Sequence, residues 1–134
     1  MADAGPLYAY VDADDAHHVA SLRLLQEHPG PILVPVLVVT EVAYLLATRL
    51  GPEAEVRFLG DLAGGSLIPV EVESTDWLRI AELVAKYADL SLGTVDASVV
   101  AAAERLDVRT VATFDRRHLG TVRPRHIEAF DLVP

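Results

Sequence analysis

Apolar residues fall into short runs separated by longer stretches of helical period. Residues 32–35, 67–72, 110–114 and 127–133 read as strands: brief, apolar and bounded by turn-forming residues. A very short first strand ends at Asp3, and Gly5-Pro6 then opens a helical turn, where proline is tolerated. Residues 12–15 form a polar loop. Residues 17–28 have helical period, with Val19, Leu22 and Leu25 on one face, until Pro29-Gly30-Pro31 breaks it. Residues 37–50 predict a strongly apolar helix stopped by Gly51. Pro52 starts another, with Val56, Leu59 and Leu62 on a common face, ending at Gly64-Gly65. Pro69 marks residues 67–72 as an edge strand. Ser74 or Thr75 caps a helix reaching about Tyr87, and Thr94 caps the next, from Val95 to about Leu106. The predicted order is β-α-α-β-α-α-β-α-α-β-α-β, that of an α/β domain around a mostly parallel sheet.

A chain of 134 residues, about half of them hydrophobic, suits one domain spanning 1–134 with a core that needs no staples. Cysteine is absent, which excludes disulfides and thiolate metal sites, so any metal must sit on oxygen or imidazole ligands. No apolar run approaches the ~18 residues needed to cross a bilayer, and no basic region precedes an apolar run at the N-terminus. The expectation is a soluble, cytoplasmic protein with no membrane association.

A net charge of −9 argues against broad affinity for nucleic acid. The charge is uneven, however. Residues 1–104 carry 5 basic and 16 acidic side chains, net −11, whereas residues 105–134 carry 6 and 4, net +2. A basic C-terminal portion on an acidic body has the means to hold a polyanion locally; ordinary surface variation is the plainer reading.

Four acids occupy unusual positions. Asp3 follows the first strand, Glu41 lies within Val38-Val39-Thr40-Glu41-Val42-Ala43, Asp96 stands in the first turn of a helix, and Asp115 follows residues 110–114. In a parallel sheet, positions just past the strand C-termini line the edge where ligands bind. Asp3 and Asp115 reach that edge from two strands, and Asp96 and Glu41 from two helices. Carboxylates so gathered repel one another unless some are protonated or a cation neutralises them. A hard cation on oxygen ligands, Mg²⁺ or Mn²⁺, fits the donors, and such clusters cleave phosphodiesters. Each acid also has a plainer role. Asp96 favours its helix dipole, Asp115 serves a turn, and Asp3 caps the Gly5-Pro6 helix. Glu41 resists this reading, because an acid among Val, Ala, Leu and Tyr is costly unless paired.

Four segments resemble, in order and spacing, the motifs of VapC-type PIN-domain toxins: Asp3-Ala4-Gly5-Pro6-Leu7, Val39-Thr40-Glu41-Val42, Gly93-Thr94-Val95-Asp96-Ala97, and Thr113-Phe114-Asp115-Arg116-Arg117-His118-Leu119. The resemblance spans essentially the whole chain. It implies a PIN-like three-layer α/β/α sandwich, a Mg²⁺- or Mn²⁺-dependent endoribonuclease leaving 5′-phosphate and 3′-hydroxyl ends, and a cognate antitoxin as partner. By motif, Asp3, Glu41, Asp96 and Asp115 form the catalytic set. Asp3 and Asp96 are the direct metal ligands, with Glu41 and Asp115 acting through water or completing a second metal position. Thr94 and Thr113 are supporting residues that orient a carboxylate or water. One departure is visible: Ala4 stands where the family usually has Thr or Ser, so a supporting hydroxyl is missing.

Further features have competing readings. Arg116 and Arg117, with His118, Arg123, Arg125 and His126, either meet RNA phosphates or form a solvated basic surface. His118 is not needed as a general base if water is metal-activated. Asp12, Asp15 and His18 suggest a second metal site, though a capped loop–helix junction explains them better. Trp77 and Tyr87 read as core or rim packing rather than base stackers. Tyr8, Tyr10 and Tyr44, with Leu45, Leu46 and Leu50, supply more apolar surface than one small sheet needs, which suggests a homodimer interface and a groove for the antitoxin's helix. Alternative functions are a PIN-fold interaction module without activity and a PIN nuclease of RNA processing without an antitoxin. A phosphoacceptor signalling domain needs a lysine after a late strand, and the only lysine is Lys86, in mid-helix.

Overall fold

A computed structural model describes residues 1–134. The elements follow the predicted order: α1 (Ala4–Val11), α2 (His18–Glu27), β1 (Ile32–Pro35), α3 (Val36–Arg49), α4 (Pro52–Ala63), β2 (Leu67–Val70), α5 (Ser74–Lys86), a 3-10 turn (Ala88–Leu90), α6 (Thr94–Arg105), β3 (Thr110–Ala112), α7 (His118–Thr121) and β4 (Asp131–Val133).

β1 pairs in parallel with β2 and β3 in parallel with β4. The expected first strand shrinks to one parallel bridge, Ala2 to Ala112, but residues 1–3 join the two pairs. Ala2 N–H donates to Leu33 O at 2.8 Å on one side. On the other, Asp3 N–H donates to Ala112 O at 2.9 Å, and Ala112 N–H to Met1 O at 2.8 Å. The spatial order is therefore β2, β1, residues 1–3, β3, β4. Successive strands step outward from residues 1–3 to β1 and β2; the chain then crosses back to β3 and continues to β4. Residues 1–3 lie at this reversal, where parallel sheets open a crevice at their carboxyl ends.

Several expectations shift. The third and fourth strands are shorter than predicted, ending at Ala112 and beginning at Asp131. The helix caps lie one residue earlier. Glu73 precedes α5 rather than Ser74 or Thr75, and its N–H donates to Asp76 Oδ2 at 2.9 Å; Gly93, not Thr94, precedes α6. Gly51 does end α3: at φ +92° its N–H donates to Leu46 O at 3.0 Å, and it leads directly into α4. Val56 and Leu59 are exposed rather than packed, because Ala54 and Phe58 form the buried face of α4. Val19 is likewise exposed, while Ser21 is buried and Leu24 and Leu25 pack against the core. Of the core or rim packing expected for Trp77, its half exposure leaves the rim.

α6 is the centre of the packing. Ala97–Ala103 are all buried, so the helix is enclosed by neighbours that include α5 and α3. Its alanines and valines permit close approach, and that enclosure fixes where its N-terminal turn delivers Asp96.

Candidate metal centre

Asp3, Glu41, Asp96 and Asp115 line one cleft of about 650 Å³ at the carboxyl edge of the sheet. Asp3 is buried at the end of the bridging segment, Asp115 follows β3 by three residues, and Asp96 is held in the first turn of α6. Glu41 lies on the second turn of α3, which begins directly after β1. Glu41 is exposed to the cleft rather than enclosed by core residues, so its position needs no internal partner. Burial alone therefore does not make this acid costly.

Three of the carboxylates are oriented by the backbone or by a neighbour; the Glu41 carboxylate makes no hydrogen bond within the chain. Thr113, fully buried, donates its hydroxyl to Asp3 Oδ2 at 2.8 Å, and Thr113 Oγ1 in turn accepts Asp115 N–H at 2.9 Å. Asp96 Oδ2 accepts Gly93 N–H at 3.3 Å, satisfying a donor that the helix start leaves free. Asp115 Oδ1 accepts His118 N–H at 2.8 Å. Thr94 is exposed on the first turn of α6 and its hydroxyl makes no hydrogen bond within the chain.

His118, set aside by the sequence reading as a general base, is part of this geometry. Its Nδ1 is 2.6 Å from Asp115 Oδ2 and 3.5 Å from Asp96 Oδ2, and its Nε2 is 3.0 Å from Leu90 O. Despite the short approach, Nδ1 has no hydrogen bond of good geometry. Asp96, Asp115 and His118 each offer a ligand atom within 4.8 Å of the others. The spacing Asp115-x-x-His118 on one short turn was the only sequence signal for this contact.

The electrostatics are those of a crowded anionic site. Burial pushes the Asp3 carboxyl up from its ordinary range, and Asp96 and Asp115 add to this against the Thr113 hydroxyl and the Ala4 N–H. Partial shielding in the cleft raises Glu41, with repulsion from Asp3 and Asp96 behind it. Burial also raises Asp96, opposed by the Gly93 N–H and His118. All three shifts report a site that favours either protons or a cation. Four carboxylates from four parts of the chain, with no paired Lys or Arg among them, match the all-oxygen donors a hard divalent ion takes. Of the two arginines on the cleft wall, Arg116 donates to Pro134 O at 2.7 Å, while the Arg117 side chain has no partner.

The other motifs resolve as local structure. Asp12 accepts from the Tyr8 hydroxyl and Asp14 N–H, Asp15 from His17 N–H, and His18 Nδ1 meets Ala9 O, so these groups are spent on the α1–α2 junction. An internal ion network leaves no local signal in the sequence: Arg79 grips Glu104 through two bonds of 2.8 Å, and Arg105 holds Asp76.

The PIN domain family, described as "PIN domain", matches residues 1–123 of the chain. Ribonuclease VapC26 of Mycobacterium tuberculosis (strain ATCC 25618 / H37Rv) is 36% identical over 132 residues, covering 98% of each chain. The crystal structure of Mycobacterium tuberculosis VapC20, described as a sarcin-ricin loop cleaving toxin, superposes with a TM-score of 0.80 at 21% identity, covering 86% of this chain and 88% of that one. The chain belongs to the PIN-domain family, on the branch of the VapC-type ribonucleases.

Proposed function

We propose that this chain is a divalent-metal-dependent endoribonuclease and the toxin component of a toxin–antitoxin pair. The observation that carries this reading is the single cleft lined by Asp3, Glu41, Asp96 and Asp115, three of them with carboxyls raised above their ordinary range. Kinship with a curated VapC ribonuclease gives the cluster its chemistry.

Asp3 and Asp96 are the direct ligands in this reading. Asp3 is the most fixed, held by Thr113 from a buried position. Asp96 has its carboxylate anchored on Gly93 N–H. Glu41, on the open side, and Asp115, next to His118, complete the coordination directly or through water. When bound, Mg²⁺ or Mn²⁺ supplies Lewis-acid activation of water and neutralises phosphate charge. The chain supplies an anionic cradle in which Asp3 and Asp96 are already oriented, by the Thr113 hydroxyl and the Gly93 N–H. Arg117, unpaired on the cleft wall, supplies a cation for a neighbouring RNA phosphate.

Exposed Tyr44, Leu50, Val56 and Leu59 on or beside the paired helices α3 and α4 support a homodimer and an apolar seat for an antitoxin segment. Tyr8 contributes less, since Arg49 lies over its ring and its hydroxyl binds Asp12. No helix is long and apolar enough to cross a membrane, and we read the protein as a cytoplasmic unit of one domain.

Incubating the purified chain with total RNA tests this directly. Cleavage is expected with Mg²⁺ or Mn²⁺, is lost with EDTA and in Asp96→Asn, and leaves 5′-phosphate ends. Cleavage by Asp96→Asn equal to wild type would remove the metal cluster from the mechanism.

A further inference from the structure

Beside the acidic cleft lies an aromatic pair with no core function. Phe114 precedes Asp115 and is itself on the cleft wall. Its ring packs against Gly5, where an added Cβ would stand only 3.2 Å from Phe114 Cδ2, so the missing side chain is what lets the ring lie there. His17, far away in sequence at the start of α2, stacks on Phe114 with ring centroids 4.1 Å apart and planes inclined by 23°. His17 is exposed, and its ring nitrogens make no hydrogen bond within the chain. One face of the imidazole is thus covered by Phe114, and the other is left for an outside partner.

We propose that His17, backed by Phe114, is a stacking platform for a nucleobase of single-stranded RNA adjacent to the cleaved phosphate. Two observations converge with one chemical argument. The platform adjoins the carboxylates that would hold the metal, through Phe114-Asp115. Arg117, three residues beyond Phe114 on the same cleft wall, has an unpaired guanidinium to meet the phosphate that such a base carries. Stacking suits the task because every base has a π-face, so the platform grips any sequence and leaves selectivity to other contacts. It also demands an unpaired base, since in a duplex both faces are already covered. His17 and Phe114 are positioning residues here, not participants in bond cleavage.

The proposal rests on the ribonuclease reading, and its test separates the two. The substrate is a random-sequence single-stranded RNA pool cleaved by the full chain with Mn²⁺. His17→Ala is expected to raise KM about tenfold, the weight of one lost stacking contact, with kcat changed by less than about twofold. His17→Tyr is expected to restore KM, and Mn²⁺ binding is expected to be the same in all three proteins. Independently of cleavage, adding the RNA pool to metal-free protein should move the His17 ring-proton resonances upfield. An unchanged KM in His17→Ala, a failure of Tyr to rescue, or an absent ring-proton shift overturns the platform even where wild type cleaves RNA. A ring-proton shift without any cleavage upholds the platform and instead overturns the nuclease reading.

Discussion

The Thr113 hydroxyl donates to Asp3 Oδ2 at 2.8 Å across 110 positions of sequence, inside the protein. Through a lone pair the Thr113 oxygen also accepts the Asp115 backbone N–H at 2.9 Å. One buried hydroxyl therefore sets the spacing between the acid that ends residues 1–3 and the acid that follows β3.

Thr113→Val keeps shape and burial but removes that donor. A buried acceptor that loses its partner typically costs about 1–3 kcal/mol. The Asp3 carboxyl, already raised by burial, should move further up, since Thr113 is its largest opposing influence. We expect weaker Mn²⁺ binding, with its onset on rising pH displaced to higher pH. Calorimetric titrations of wild type and variant across pH check this; coincident profiles would refute it.

The metal-free protein should lose stability as pH rises above the ordinary carboxylate range. Asp3, Glu41 and Asp96 have folded-state carboxyls above their unfolded range. Each such group stabilises the fold fully below its unfolded pKa, and that contribution is lost as pH rises through the folded value. Glu104 has the opposite sign: lowered by Arg79 and the Arg125 N–H, its contribution is lost only as pH falls through its depressed value. The two windows are separate. Asp61, also raised, adds to the first trend, so the diagnostic is the difference between proteins. Thermal melts with EDTA should show a fall in Tm for wild type that is smaller in Asp96→Asn. Equal slopes would contradict the crowded-anion account.

Glu104→Gln should destabilise without touching the site. Glu104 is 10% exposed and Arg79 14%, and the pair is bidentate. Removing the charge of one partner leaves the other poorly matched, at about 3 kcal/mol. Urea unfolding should register that loss, while Mn²⁺ affinity stays at the wild-type value.

Much of this was readable from the chain because the signals were local. The alternation of apolar runs and helical periods gave the element order, and Gly51 and Pro52 gave a helix boundary. The four acids stood out because each follows a strand or opens a helix whose position the parallel topology dictates. What escaped depended on contacts across the fold. The first strand was recognisable only as two residues before Asp3, since its partners are Leu33 and Ala112. Val56, Leu59 and Leu62 have a common face by period, yet of these only Leu62 packs against the core, and Ala54 and Phe58 are the ones fully covered. Glu41 stands among core-type residues in the sequence because the helix is apolar nearly all round; the cleft beside it is not written in its neighbours. The His17–Phe114 stack, the Arg79–Glu104 pair and the contact of His118 with Asp96 join residues 22 or more positions apart and leave no period to detect.

The central claim is that residues 3, 41, 96 and 115 share one divalent ion, and calorimetric titration of Mn²⁺ into the metal-free chain tests it most directly. The account predicts a saturable heat in wild type that is weakened at least about tenfold in Asp3→Asn and in Asp96→Asn, both still folded by circular dichroism. No heat in wild type, or the same heat in all three proteins, would contradict it.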